Sequence, residues 1–234
     1  MKIVAFNGSP RMNNGCTQIV LNKFLEGATS AGAEVETIYL KTLKLNPCLG
    51  CYTCWLKTPG RCIQNDNWEM IHEKVLSSNV MVFATPLYNY TVTSYTKILL
   101  ERLLPIWEPF IVKKKDVCFH PSRYKKYDPV VLLSVCGFPE VSHFDALVKT
   151  FQQHFGRLLV GKVLRSASEY MRERQDQLGW FFDAVYRAGV ELVQTGKISS
   201  ETEETISAPI ISVEEFVEQS NKRFNEILAQ NSAK

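Results

Sequence analysis

At 234 residues the chain is long enough for one domain, or one domain with an appendage, and it needs no disulfide to hold a core. It is 45% hydrophobic and 22% charged, an ordinary globular balance, and a net charge of only +3 excludes the basic footprint of a nucleic-acid binder. No apolar run approaches the ~20 residues of a membrane span, and MKIVAFNGSPR turns polar too soon for a secretory leader, so neither a membrane nor export is expected. The expected setting is the cytoplasm, where the seven cysteines stay reduced and close cysteine spacing points to metal or redox work.

Residues 2–6 (KIVAF) predict a short buried strand that ends in the turn signal Asn7-Gly8-Ser9-Pro10. From Thr17 the spacing of Ile19, Val20, Phe24 and Leu25 predicts a helix ending at Ala31-Gly32. Residues 34–39 alternate as a strand, and a long irregular stretch with four cysteines follows over 41–66. A helix is predicted over 67–78, an apolar strand over 80–84 and a loop over 85–92. Next come a helix over 94–104, a buried strand over 130–135, a helix over 142–155 and a fifth strand over 158–165. The remainder predicts amphipathic helices over 177–194 and 213–228, joined by a linker over 196–208 rich in Ser, Thr and Glu.

Strands alternating with helices, two of them apolar throughout, predict the α/β class with a doubly wound parallel sheet. In such sheets ligands sit beyond the carboxyl ends of the strands, where the strand order reverses. The loops 7–17, 85–92 and 136–141 are therefore expected to meet.

The first loop lies between a strand and a helix. A helix N-terminus offers unpaired N–H groups and the positive end of a dipole to an anion. Ser9 and Thr17 add hydroxyls, Arg11 can chelate a phosphate, and Gly15 allows close backbone approach. The loop lacks both the GxGxxG of dinucleotide folds and the Lys-Ser/Thr of a Walker loop. A hydroxyl-rich loop suits a terminal monophosphate such as that of FMN. The alternative is a polar turn with Thr17 as a helix cap. The second loop, Thr85-Pro86-Leu87-Tyr88-Asn89-Tyr90, offers a proline-fixed slot with Tyr88 or Tyr90 to stack on a flat ring, or else tyrosines that pack on the next helix. Cys136-Gly137-Phe138 closes the slot from the fourth strand, with Gly137 open to a flat ligand.

The run Ile3 to Arg11 with Thr17, then Thr85-Pro86-Leu87-Tyr88 with Lys97 and Glu101-Arg102, resembles the NADPH-dependent FMN reductase family. The resemblance covers about residues 1–165. It implies a flavodoxin-like fold with a five-stranded parallel sheet over 1–168, interrupted by a cysteine-rich insertion at 46–66 and followed by a C-terminal helical extension over 169–234. It implies FMN held by Ser9, Arg11, Asn14, Gly15, Cys16 and Thr17 at the phosphate. Pro86, Leu87, Tyr88, Asn89, Tyr90, Cys136, Gly137 and Phe138 would line the ring. It also implies a site completed between subunits of a dimer or tetramer, for which Trp180-Phe181-Phe182 is one anchor and a core role the alternative.

Cys48, Cys51, Cys54 and Cys62 are spaced C-x2-C-x2-C-x7-C. Four thiolates are the ligand count of a [4Fe–4S] cluster; zinc also accepts four, but usually from two separated pairs. Reduced structural thiols or a reversible disulfide are the remaining alternatives. The segment resembles the cysteine motif of the iron–sulfur flavoproteins, a branch of the same superfamily, although residues 55–61 are longer here than is usual in that branch. Asp66-Asn67 falls where relatives often carry two aspartates. Cys16, Cys118 and Cys136 are isolated and are expected to be packing residues. Lys113, Lys114, Lys115, Arg123, Lys125 and Lys126 form a basic patch, read as a solvated loop or as a site for the 2′-phosphate of NADPH or an acidic redox partner.

No nucleophile–base pair is evident, and none is needed where a flavin carries the chemistry. The expected activity is that of an oxidoreductase passing electrons from NAD(P)H through FMN to a quinone, a flavin or another acceptor. The alternative is an iron–sulfur electron carrier serving a ferredoxin-like partner.

Overall fold

A computed structural model of the protein describes residues 1–124 and 128–232. Lys125 and Lys126 of the basic patch lie outside the described residues. Strands β1 (Lys2–Asn7), β2 (Glu34–Tyr39), β3 (Val80–Pro86), β6 (Val130–Val135) and β7 (Leu159–Arg165) form one parallel sheet in the order β2-β1-β3-β6-β7. The order reverses between β1 and β3, which is the switch point of a flavodoxin-like sheet. The strand β3 runs two residues further than the apolar pattern indicated. Pro86 ends it opposite Val135, at the strand terminus where its missing N–H removes no needed ladder bond.

Strand residues alternate between the two faces, and both faces are covered. Ile3, Ala5, Val82 and Leu133 pack beneath α1 (Cys16–Ser30) and α7 (Gly179–Thr195). Val4, Phe6, Phe83 and Leu132 pack against α3 (Trp68–Ser77), α4 (Ser94–Arg102) and α5 (Asp145–Phe155). Phe83 makes ring contacts there with Phe151 and Phe155 at 5.6 and 5.3 Å. The helices α1 and α7 cross so closely that a Cβ on Gly27 would stand 2.0 Å from the Tyr186 carbonyl oxygen. One on Gly189 would stand 2.1 Å from that of Phe24. Only glycine permits this approach.

Several elements were not evident in the sequence. Residues 53–56 form a single helical turn, α2 (Thr53–Leu56), inside the cysteine segment. A hairpin, β4 (Val112–Lys114) and β5 (Val117–Phe119), carries the three lysines, all exposed. Cys118 sits exposed on it, so it is not a packing residue, whereas Cys16 and Cys136 are buried. The short α6 (Ser168–Glu173) follows β7. The Ser/Thr/Glu-rich linker contains α8 (Ser200–Ser207), capped by the Ser199 hydroxyl accepting from the Thr202 N–H. Thr202 and Ile206, one turn apart, bury its inner face. Phe181 is fully buried while Trp180 is 43% exposed, which divides the aromatic cluster between core and surface. The last helix, α9 (Val213–Ser232), leaves Val217, Phe224 and Ile227 exposed. Among the described residues no helix is long and apolar enough to cross a membrane.

Candidate functional site

The loops after β1, β3 and β6 come together at the carboxyl edge of the sheet. The Gly8 N–H donates to the Ala84 carbonyl at 2.8 Å, and the Thr93 hydroxyl donates to the Gly8 carbonyl at 2.8 Å. Leu87 N–H donates to the Val135 carbonyl at 2.8 Å. A fourth loop, after β7, joins them: Ala167 and Ser168 N–H donate to the carbonyls of Phe138 and Cys136 at 2.7 and 2.8 Å. A Cβ on Gly8 would lie 1.9 Å from the Thr96 hydroxyl, so the first loop is pressed against the start of α4. Of the six described non-glycine residues with positive φ, four lie in these loops: Met12, Asn89, Tyr90 and Ala167. Such conformations persist where surrounding structure over-determines them, typically at functional sites.

In the first loop Ser9 is 2% exposed, its N–H bonded to the Asn7 side chain at 2.8 Å and its Oγ accepting from Arg11 N–H at 3.3 Å. Asn7 in turn donates to Gln18 at 2.7 Å, which ties the loop to α1. Gly15 is the N-cap of α1 in an extended conformation, and no side chain caps the helix. Thr17 therefore lies inside the first turn, buried, and is not the cap. The first N–H groups of α1 keep the anion-seeking character of an uncapped N-terminus. Cys16 is buried and burial raises its thiol pKa, whereas Asn14 is exposed. Arg11 is exposed and pairs with Glu169 of α6 at 2.5 Å, a bond that raises its already high pKa.

Across the mouth, Pro86 is buried, Leu87 half-buried and Asn89 exposed. Tyr88, Tyr90 and Phe138 stand 48%, 54% and 57% exposed, so the tyrosines do not disappear into packing against α4. Tyr90 and Phe138 both face the His143 ring, at 5.7 and 5.1 Å. Cys136 is buried, and burial raises its thiol pKa. A Cβ on Gly137 would meet nothing within 4 Å, so this backbone is open to a ligand. Thr93, Thr96, Glu169 and His143 were not singled out from sequence. Thr93 had a signal, a threonine hydroxyl placed to cap α4, where it accepts from the Thr96 N–H. Glu169 had none, because only the fold brings it to Arg11.

The second candidate region is the cysteine segment. Cys48, Cys51, Cys54 and Cys62 line one concavity together with Arg102 and Leu104. All four are free thiols, graded from exposed Cys51 to buried Cys54. Burial raises the Cys54 thiol pKa, and the charges of Cys62, Cys48 and Cys51 raise it further. Hydrogen bonds from the Thr53 hydroxyl and N–H lower that of Cys51. Among the described residues no group of three or more His, Cys, Asp or Glu side chains is arranged to hold a metal ion. The thiols share a concavity without converging on one point.

The base of this segment is pinned by Asp66 and Arg102. The Asp66 carboxylate accepts from Asn46 and Trp68 N–H at 2.9 and 3.0 Å. Arg102 donates to both Asp66 oxygens at 2.6 and 3.0 Å, to the Asn46 carbonyl at 2.7 Å and to Cys62 Sγ at 3.4 Å. Both side chains are almost wholly buried, at 1% and 0% exposed. Burial pushes the Asp66 carboxyl pKa up, but Arg102 and the two backbone donors outweigh it and the net shift is downward.

The NADPH-dependent FMN reductase family profile matches residues 1–164. The chain belongs to that family. Among curated relatives it is 34% identical over 105 residues to an iron–sulfur flavoprotein of Archaeoglobus fulgidus, covering 45% of this chain and 46% of the relative. It is 33% identical over 128 residues to one from Clostridioides difficile, covering 53% and 55%. The chain thus spans about half the length of the curated relatives it matches. Among solved structures, an NAD(P)H:quinone oxidoreductase from Methanothermobacter marburgensis superposes with a TM-score of 0.60 at 15% identity, over 82% of this chain and 96% of that one. At that identity the superposition shows the shared flavodoxin-like fold.

Proposed function

We propose that the protein is an FMN-dependent oxidoreductase that takes electrons from NAD(P)H and delivers them to a quinone, a flavin or another small acceptor, aided by a [4Fe–4S] cluster on Cys48, Cys51, Cys54 and Cys62. The observation that carries the flavin site is the meeting of the four carboxyl-edge loops at the switch point of the sheet, one side an uncapped helix N-terminus and the other a half-exposed aromatic mouth. The phosphate would lie against Ser9, Asn14, Gly15, Cys16 and Thr17 at the start of α1. Arg11 can reach it by exchanging Glu169 for the ligand, since that pair is exposed. Pro86, Leu87, Tyr88, Asn89, Tyr90, Cys136, Gly137 and Phe138 would flank the ring. Bound FMN supplies hydride acceptance at its ring; the protein binds, orients and tunes it.

The donor chemistry of the cysteine segment fits a cluster. Four reduced thiols share one concavity, and a cationic metal core would take them as thiolates by displacing their protons. Four thiolates are the ligand count of a four-iron cluster, whereas zinc sites usually draw four thiolates from two separated pairs. The exposed apolar rim, with Leu49 69% and Ile63 63% exposed, favours a second reading in which a ferredoxin-like protein exchanges electrons there. The exposed apolar residues of α9 support assembly into a homo-oligomer.

The test is anaerobic purification followed by flavin, iron and sulfide analysis and steady-state NAD(P)H oxidation. Stoichiometric FMN, about four irons per chain and turnover in the range of ~1–10³ per second support the enzyme reading. Negligible turnover with fast reduction by a ferredoxin supports the carrier. Failure to bind FMN overturns both.

A further inference from the structure

One buried group is absorbed by neither the flavin site nor the four thiols. Arg102 stands at the end of α4, and its side chain is 1% exposed. It touches the entry of the cysteine segment at Asn46, the exit at Asp66, and between them the sulfur of Cys62. Among these contacts Cys62 is the only one of the four cysteines that it reaches, and Cys62 is the one separated from the others by seven residues. Arg102 also lies over the Trp68 ring, 5.5 Å from its centroid, while its Nε has no hydrogen-bond partner among the described residues. A buried guanidinium with an unsatisfied N–H is an expensive way to close a loop, because its desolvation competes with everything that the pair gains. Closing the loop alone does not need it: Asn67 N–H donates to the Lys44 carbonyl, Asn67 Oδ1 accepts from Lys44 N–H, and Asp66 already accepts from Asn46 N–H. What those bonds do not provide is a fixed positive charge and an N–H donor at a thiolate sulfur.

We infer that Arg102, held by Asp66, is a positioning residue for Cys62: it keeps the remote fourth thiolate in the set and stabilises negative charge on it by an N–H···S bond. The inference rests on the cluster reading above. Hydrogen bonds to ligand sulfurs and local net charge are two of the levers that set a cluster's potential. The guanidinium is suited to both roles because its rigid fork engages the carboxylate with one edge while a further N–H reaches the sulfur. A positive charge and a donor beside the sulfur favour the more negative, reduced state of a one-electron couple. Removing them therefore lowers the potential and weakens retention of the iron bound at that corner.

The experiment uses the full chain, purified anaerobically and reconstituted with ferrous iron and sulfide. Two variants are compared with the wild type: Arg102→Lys, which keeps the charge but loses the fork, and the double variant Asp66→Asn/Arg102→Met, which leaves no unpaired buried charge. Iron per chain, FMN content, thermal melting and the cluster's midpoint potential are read for each. The expected result is FMN content unchanged and iron falling from about four toward three per chain in the double variant. The potential of the iron-loaded fraction shifts negative by about 59 mV, a tenfold change in a one-electron equilibrium, through loss of the N–H···S bond, since the double variant removes one positive and one negative charge together. Arg102→Lys is expected to fall between the two, and it alone decides if the double variant does not fold. Wild-type iron content and potential in the variants that fold would overturn the role of Arg102 while leaving the cluster reading intact. A wild type that takes up no iron would overturn the cluster reading and this inference with it.

Discussion

Two arginine–carboxylate pairs of nearly equal length anchor the two candidate sites, and they differ in where water can go. Arg11–Glu169 spans 2.5 Å with both side chains about half exposed, while Arg102–Asp66 spans 2.6 Å with neither reached by solvent. In water an ion pair is worth little and is readily exchanged for another anion. In the interior the same pair is difficult to separate, because either partner alone would be a buried, uncompensated charge. The first loop is shaped by backbone bonds to the sheet and carries its arginine as a movable arm. The cysteine segment lacks a strand to lean on and carries a fixed, buried ion pair at its base.

The largest expected effect follows from the buried pair. Arg102→Met strands Asp66 and is expected to destabilise the fold by about 3–5 kcal/mol, read by chemical denaturation. A loss below ~1 kcal/mol would show that the interior at Asp66 is wet and would erase the contrast. Gly8→Ala tests the other region, where backbone contact does the holding. Its Cβ would collide with the Thr96 hydroxyl at 1.9 Å, so a loss of roughly 1–3 kcal/mol and weaker FMN binding are expected.

Acid sharpens the comparison further. His72 is buried near the cysteine segment, its ring 5.6 Å from that of Trp68, with Nε2 lacking a hydrogen-bond partner among the described residues. Burial lowers its pKa, against smaller upward effects of Glu69 and Glu73. The unfolded chain therefore takes up a proton first, and stability falls as pH drops below the unfolded value of ~6.5. A second loss follows lower down. The depressed Asp66 pKa means that its contribution is complete above the ordinary carboxylate value of ~3.9 and vanishes as pH falls through the folded value. Denaturation midpoints measured across pH should show both steps. His72→Phe should shrink the upper one and add about 1 kcal/mol of stability near pH 6, with His154, whose pKa is also lowered, carrying the remainder; an upper step of unchanged size would remove His72 from it.

The smallest effect on stability is expected at the exposed arginine. Arg11→Ala should change the melting of the flavin-free protein by no more than the ~0.5 kcal/mol of a surface pair. It should nonetheless weaken FMN binding about tenfold, read by flavin fluorescence titration. A large stability loss with unchanged flavin affinity would reverse the roles assigned to the two arginines.

The sequence by itself determined the five core strands, their helices and the loops that meet at the carboxyl edge, because apolar periodicity is imposed by the two-sided burial of a parallel sheet. It also marked the four cysteines, since their spacing is a local property of the chain. It did not reveal that Cys118 sits exposed on a hairpin or that residues 200–207 form a helix. Short elements with few apolar residues take their shape from what they pack against. The partners of the two arginines were also beyond it. Glu169 lies 158 residues from Arg11, and Asp66 lies 36 from Arg102. Burial, which makes one pair replaceable and the other fixed, is a property of the assembled layers and is decided only when the tertiary structure excludes water from one and not the other.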